Sequence, residues 1–170
     1  LAIFAAYLGI AENKLAANAQ FFQNITDKIE NNVPRLSYGV AVTDFNNDGK
    51  MEFIVTGFRY PNLALSYENG SYKNINSSEL FADEKRSSIG VVACDVDQDG
   101  YEEIYFLNTD TYSGTKKYSD RLIDVDKTIY DIFSFKKNQA NLNLTAGRSV
   151  ACVDRPVSYT HLTLPTTYGV

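Results

Sequence analysis

Short apolar runs separated by polar punctuation dominate the chain. Gly39–Thr43 is apolar and β-branched and stops at Asp44. An acidic stretch, Asp44–Glu52, leads into Phe53–Thr56, a turn at Pro61-Asn62, and then Leu63–Tyr67 and Tyr72–Ile75. Runs this short, rich in β-branched and aromatic residues and bounded by Gly, Pro, Asn and Asp, predict strands rather than helices. Asn69-Gly70 predicts a tight hairpin, because both residues tolerate positive φ. One unit therefore reads strand, acidic loop, strand, turn, strand, tight turn, strand.

The unit repeats. Gly39–Asp44 (GVAVTD) aligns with Gly90–Asp95 (GVVACD), and the match continues ungapped as DFNNDGKMEFIV against DVDQDGYEEIYF. A third copy begins at Ser149–Asp154 (SVACVD). The far strand recurs as well, in Phe22–Thr26, Tyr72–Asn76 and Tyr130–Ile132, each pairing an aromatic with a following Ile. Four strands in about fifty residues is the size of a propeller blade. Phe22–Thr26 then precedes the first inner strand as an orphan outer strand. The expected fold is all-β: a β-propeller fragment with about two complete four-stranded blades and parts of two others. The competing reading is a two-sheet β-sandwich.

Composition narrows the function. Twelve Tyr and ten Phe favour strands. A net charge of −5 without a basic stripe excludes nucleic acid as a natural partner. Leu1–Ile10 is apolar but too short to span a bilayer, and Ala17-Asn18-Ala19 follows as a small-x-small pattern. Residues 1–19 read as a truncated signal peptide cleaved after Ala19, with a cut after Ala11 or a buried N-terminal helix as alternatives. Residues 20–155 are the partial propeller. Val157–Thr166 resembles the conceptual translation of a sequencing adapter, so 156–170 is set aside as a non-native tail. The sole histidine, His161, lies in that tail, which leaves no His-based catalytic or metal site.

Both acidic loops have the spacing D-x-[DN]-x-D-G-x-x-E. In the first, Asp44, Asn46, Asp48 and Glu52 would offer side-chain oxygens and Lys50 its carbonyl. In the second these are Asp95, Asp97, Asp99 and Glu103, with the Tyr101 carbonyl. Ca²⁺ is a hard cation that takes six to eight oxygens in flexible geometry, which suits such a loop. An EF-hand is excluded: its twelfth position is Glu and its flanks are helical, whereas Val55 and Phe106 stand there between strand-forming runs. A single such motif is an ordinary Asp/Asn/Gly turn. Two in the same repeat register point to a strand-loop-strand calcium site.

The runs YGVAVTDFNNDG, PNLALSY, IGVVACDVDQDGYEEIYFLNT and AGRSVACVDR resemble the FG-GAP/VCBS repeats of integrin-like β-propellers, and most closely the cartilage acidic protein family. The resemblance covers Phe21 to Arg155. It implies a secreted, extracellular propeller that acts by binding, without catalysis. It also maps that family's calcium positions onto the ten residues above. The implied partners are extracellular or cell-surface proteins, with glycans as a further class.

Other residues have plainer readings. Cys94 and Cys152 occupy equivalent places before the loop Asp; they are either buried small hydrophobes or paired across blades, and a separation beyond roughly 7 Å between Cα atoms would forbid a bridge. Asn24, Asn69, Asn76 and Asn143 open Asn-x-Ser/Thr sequons, of which Asn76 is the favoured one. Glu102 is a solvated neighbour of Glu103, since adjacent strand residues face opposite ways. Lys116-Lys117 and Lys136-Lys137 read as exposed loop charges. No nucleophile–base pair is present. Two alternatives remain: a propeller module of a secreted enzyme, such as a lyase or phospholipase, and a carbohydrate-binding propeller.

Overall fold

A computed structural model describes residues 23–111, 113–155 and 159–163. The leader expected over residues 1–19 lies outside them, as do 156–158 and 164–170 of the tail. The described chain forms two four-stranded antiparallel sheets in simple up-and-down order. The first holds β1 (Val40–Thr43), β2 (Glu52–Val55), β3 (Leu63–Glu68) and β4 (Ser71–Asn74). A short helix α1 (Glu79–Ala82), capped by the Ser78 hydroxyl, leads to the second: β5 (Ser88–Cys94), β6 (Glu103–Asn108), β7 (Arg121–Asp124) and β8 (Tyr130–Asp131). Then β9 (Ala151–Arg155) pairs with β10 (Tyr159–Thr163), which lies within the segment set aside as a tail.

The hairpin expected at Asn69-Gly70 joins β3 to β4, with both residues at positive φ (50° and 91°). The orphan outer strand expected at Phe22–Thr26 does not form among the described residues. There the Asn24 side chain accepts hydrogen bonds from the Thr26 backbone N–H and hydroxyl, and Thr26–Lys28 turns into a 3₁₀ helix. Such local side-chain bonding competes with strand pairing. Only Ile29 makes a bridge to Tyr72 of β4.

The two sheets stack face to face, with inner strands β1 and β5 adjacent and β5 next to β9. Gly39 and Gly90 let the first two inner strands come close: a Cβ at Gly39 would sit 3.1 Å from the Gly90 Cα. Between the sheets lies one apolar core of Phe45, Ile54, Ala64 and Phe81 against Val91, Ile104, Phe106 and Ile123. Phe81 stands edge-on to both Phe45 and Phe106, so α1 plugs the wedge between blades. A second core on the far face of β6 joins Tyr105, Leu107 and Leu122 to Val150, just before β9. Every residue of β6 is therefore buried. In β1 and β2 the alternate face is open, and the cross-strand partners Val42 and Phe53 are exposed there. Arg121 adds a polar tie between sheets, pairing with Asp83 at 2.7 Å and with Asp131 at 2.8 Å.

The structure settles one open reading and corrects another. Cys94 and Cys152 are joined by a disulfide, with Cα atoms 6.2 Å apart, inside the geometric limit. The two are not equivalent after all: in the ungapped alignment of the third copy, Cys152 stands opposite Ala93. Strand side chains alternate between faces, so a one-residue stagger turns the two sulfurs toward each other rather than in parallel. Lys117 is exposed, but Lys116 is not: its ammonium is buried 2.5 Å from Asp120. The cause is the β6–β7 loop folding back, where the Lys116 N–H donates to the Leu144 carbonyl at 2.7 Å.

Candidate metal centre

Both acidic loops connect an inner strand to its neighbour at the same end of their sheets. In each, the first Asp is locked by backbone donors. Asp44 accepts from the Asp48 and Gly49 N–H groups at 3.0 and 2.8 Å. Asp95 accepts from those of Gln98 and Gly100 at 2.6 and 3.1 Å. The chain can curl this tightly because Gly49 and Gly100 take φ of 83° and 95°, which suits glycine. Positions three and five cap the loop in turn: Asn46 and Asp97 accept from the N–H of Asp48 and Asp99, and these accept from Lys50 and Tyr101. The N–H of Lys50 holds the Asp48 carboxyl below its usual range.

The ninth-position glutamates behave differently. Glu52 is fully buried, and both its oxygens already carry donors, the Phe45 N–H and the Ser66 hydroxyl, each at 2.9 Å. It fastens the loop to β3. Glu103, 2% exposed, accepts from the Val96 N–H at 2.7 Å. Where the first sheet has Ser66, however, the second has Asp124, which is also buried. Register fixes this: Phe53 pairs with Leu65 and Ile104 with Ile123, and one step further sets Glu52 beside Ser66 and Glu103 beside Asp124. Burial, with Asp97 and Asp124 nearby, pushes the Glu103 carboxyl up to about 7.

The second loop thus gathers carboxylates into two overlapping groups, Asp95–Asp97–Asp99 and Asp97–Glu103–Asp124, with ligand oxygens in each within 4.8 Å of one another. Among the described residues, the first loop brings no three carboxylates so close, since Asn46 is neutral and Lys50 pairs with Asp48 at 3.3 Å. The donor set fits a hard cation: oxygens only, negatively charged, on a curled loop. Of the ten expected positions, the structure gathers the carboxylates of Asp95, Asp97, Asp99 and Glu103, and it arranges Asp44, Asn46 and Asp48 around a shorter-handed copy. Lys50 and Tyr101 follow the loop glycines, at the position from which a carbonyl would turn inward. Sequence reading missed Asp124. At the opposite end of the inner strands, a concavity of about 550 Å³ is lined by Tyr38, Phe58, Ile89, Asp110 and Arg148, among others.

Comparison with known proteins supplies the family. Residues 18–106 match the model of the FG-GAP-like repeat. The chain is also 41% identical over 166 residues to Cartilage acidic protein 1 of Homo sapiens, covering 88% of this chain and 25% of that protein. It is 44% identical over 151 residues to Cartilage acidic protein 1 of Xenopus tropicalis, covering 79% of this chain and 23% of that protein. With Cartilage acidic protein 1 of Mus musculus the identity is 45% over 138 residues, covering 74% of this chain and 21% of that protein. The chain spans about a quarter of the length of these relatives. With the repeat model matching over half its length, the chain belongs to the FG-GAP-like repeat family, and its two four-stranded sheets are blades of a β-propeller fragment.

Proposed function

We propose that this chain is part of a secreted, non-catalytic β-propeller that binds extracellular or cell-surface proteins and whose blades are braced by Ca²⁺ at their acidic loops. The observation that carries the reading is the gathering of Asp95, Asp97 and Asp99, with Glu103 and Asp124 behind them, on a loop already curled by its own backbone bonds. Ca²⁺ there would neutralise carboxylates that otherwise repel one another, and so fix the bend between β5 and β6. The ligands would be Asp95, Asp97, Asp99, Glu103 and the Tyr101 carbonyl, and in the first loop Asp44, Asn46, Asp48 and the Lys50 carbonyl, with Glu52 holding the loop from the sheet side. The second site carries more negative charge and would bind more tightly, both within the roughly 10⁻⁴–10⁻³ M range of extracellular modules.

One further fact supports an extracellular setting. The Cys94–Cys152 bridge belongs to an oxidising compartment. No helix among the described residues is long and apolar enough to cross a membrane. The concavity opposite the acidic loops offers aromatic and arginine side chains, Tyr38, Phe58 and Arg148, the types enriched where proteins meet. Calorimetric titration of the intact propeller tests the metal reading. Asp95→Ala is expected to remove one calcium equivalent and lower thermal stability. Unchanged stoichiometry and stability would reduce both loops to plain acidic turns.

A further inference from the structure

The four Asn-x-Ser/Thr sequons look alike in sequence but not in the fold. Asn24 is exposed, and its Oδ1 accepts from the Thr26 hydroxyl at 2.6 Å and the Thr26 N–H at 3.0 Å. Those bonds orient the exposed amide through its oxygen, and among the described residues none accepts from its nitrogen. Asn143 is the reverse case. Its Nδ2 donates to Asp120 at 2.5 Å, and its Oδ1 accepts from the Thr145 N–H at 3.0 Å. Asp120 is fully buried and also holds Lys116, the Tyr105 hydroxyl and the Asn108 N–H. A sugar on the Asn143 nitrogen would take one of its two hydrogens and bring a large polar group up to a buried ion pair, which is costly. Asn76 lies between these extremes: it is half-buried, its Nδ2 donates to the Ser78 carbonyl at 3.2 Å and its Oδ1 accepts from the Ser78 N–H. Asn69 is exposed, but it sits in the left-handed turn, and the Ser71 hydroxyl of its sequon is bonded to Glu30.

We propose that Asn24 carries an N-linked glycan and that Asn143 does not, with Asn69 and then Asn76 intermediate in occupancy. The inference rests on the secreted reading above, and it reverses the preference for Asn76 that sequence alone suggests. In the step, the Asn24 nitrogen bonds to the anomeric carbon of an oligosaccharide carried on a lipid pyrophosphate. The bond from that carbon to the pyrophosphate breaks, the pyrophosphate leaves with the electron pair, and the amide loses one proton.

The test places the full-length protein behind a host secretory leader in mammalian cells, so that entry into the lumen does not depend on its own N-terminus. N-glycans are released enzymatically in heavy-oxygen water, which converts each glycosylated Asn to a labelled Asp, and the peptides are read by mass spectrometry. Label at Asn24 and none at Asn143 is the expected result. Asn24→Gln should remove one step from the glycan ladder on a gel. Asn143→Gln should leave the ladder unchanged yet lower the melting temperature. Label at Asn143, or an unlabelled Asn24, overturns the proposal. A parallel expression with the protein's own N-terminus addresses the other premise: retention in the cytosol there would sink the secreted reading without altering the first result.

Discussion

Replacing Lys116 by Met removes one charge and keeps most of the stem volume, at a site where both partners are almost wholly shielded. Lys116 is 3% exposed and Asp120 0%, with Nζ and Oδ1 2.5 Å apart. Breaking a buried pair from one side costs about 3–5 kcal/mol, because the surviving charge is stranded out of water. Here Asp120 keeps three donors, from Tyr105, Asn108 and Asn143. These hold the carboxylate in place and moderate the loss, so the lower end, about 3 kcal/mol, is expected. Asp120→Asn leaves the ammonium stranded instead, with fewer compensating contacts, and should cost at least as much. The double variant should cost clearly less than the sum of the two, since it strands no charge. The assay is urea unfolding of the intact propeller followed by circular dichroism, run as a double-mutant cycle. A Lys116→Met variant within about 1 kcal/mol of the parent, or additivity across the cycle, would refute the claim that this pair anchors the β6–β7 loop.

Replacing both Cys94 and Cys152 by Ala opens a crosslink that spans 58 residues. The chain-entropy relation puts that loss at about 4 kcal/mol, to be measured as a lower melting temperature that no longer responds to reductant; a reductant-insensitive parent would refute it. Asp124→Ser copies the first blade, where Ser66 faces Glu52. Calorimetry should show several-fold weaker calcium binding at the second loop with the first unchanged, and equal affinity before and after would remove Asp124 from the site.

How much of this was legible depended on the distance over which a residue's role is decided. Roles set within one strand or one loop could be read directly. The strand over Leu63–Tyr67, the hairpin at Asn69-Gly70 and the order of both sheets follow from local pattern, and so does the curl of the loops from Asp44 to Lys50 and from Asp95 to Tyr101. Roles set by which face meets which neighbour could not. The cysteines seemed interchangeable until the one-residue stagger was seen to decide that their side chains converge. Lys116 and Lys117 carry the same charge side by side, and only the return of the loop onto Leu144 buries the first. Asp124 is the sharpest case. The repeat alignment is ungapped from Gly39 to Phe53 and beyond into β2, but the connection from β6 to β7 is longer than its counterpart, so Asp124 has no aligned partner to compare. Cross-strand register alone sets it where Ser66 stands in the first blade. The substitution exchanges a hydrogen-bond donor for a second buried carboxylate beside Glu103, and two such groups facing one another raise the energy of the ion-free site. A cation would relieve that cost at the second loop and find no equivalent cost to relieve at the first. The two copies of one motif would therefore differ in what calcium does for them, for a reason that lies a strand away from the motif itself.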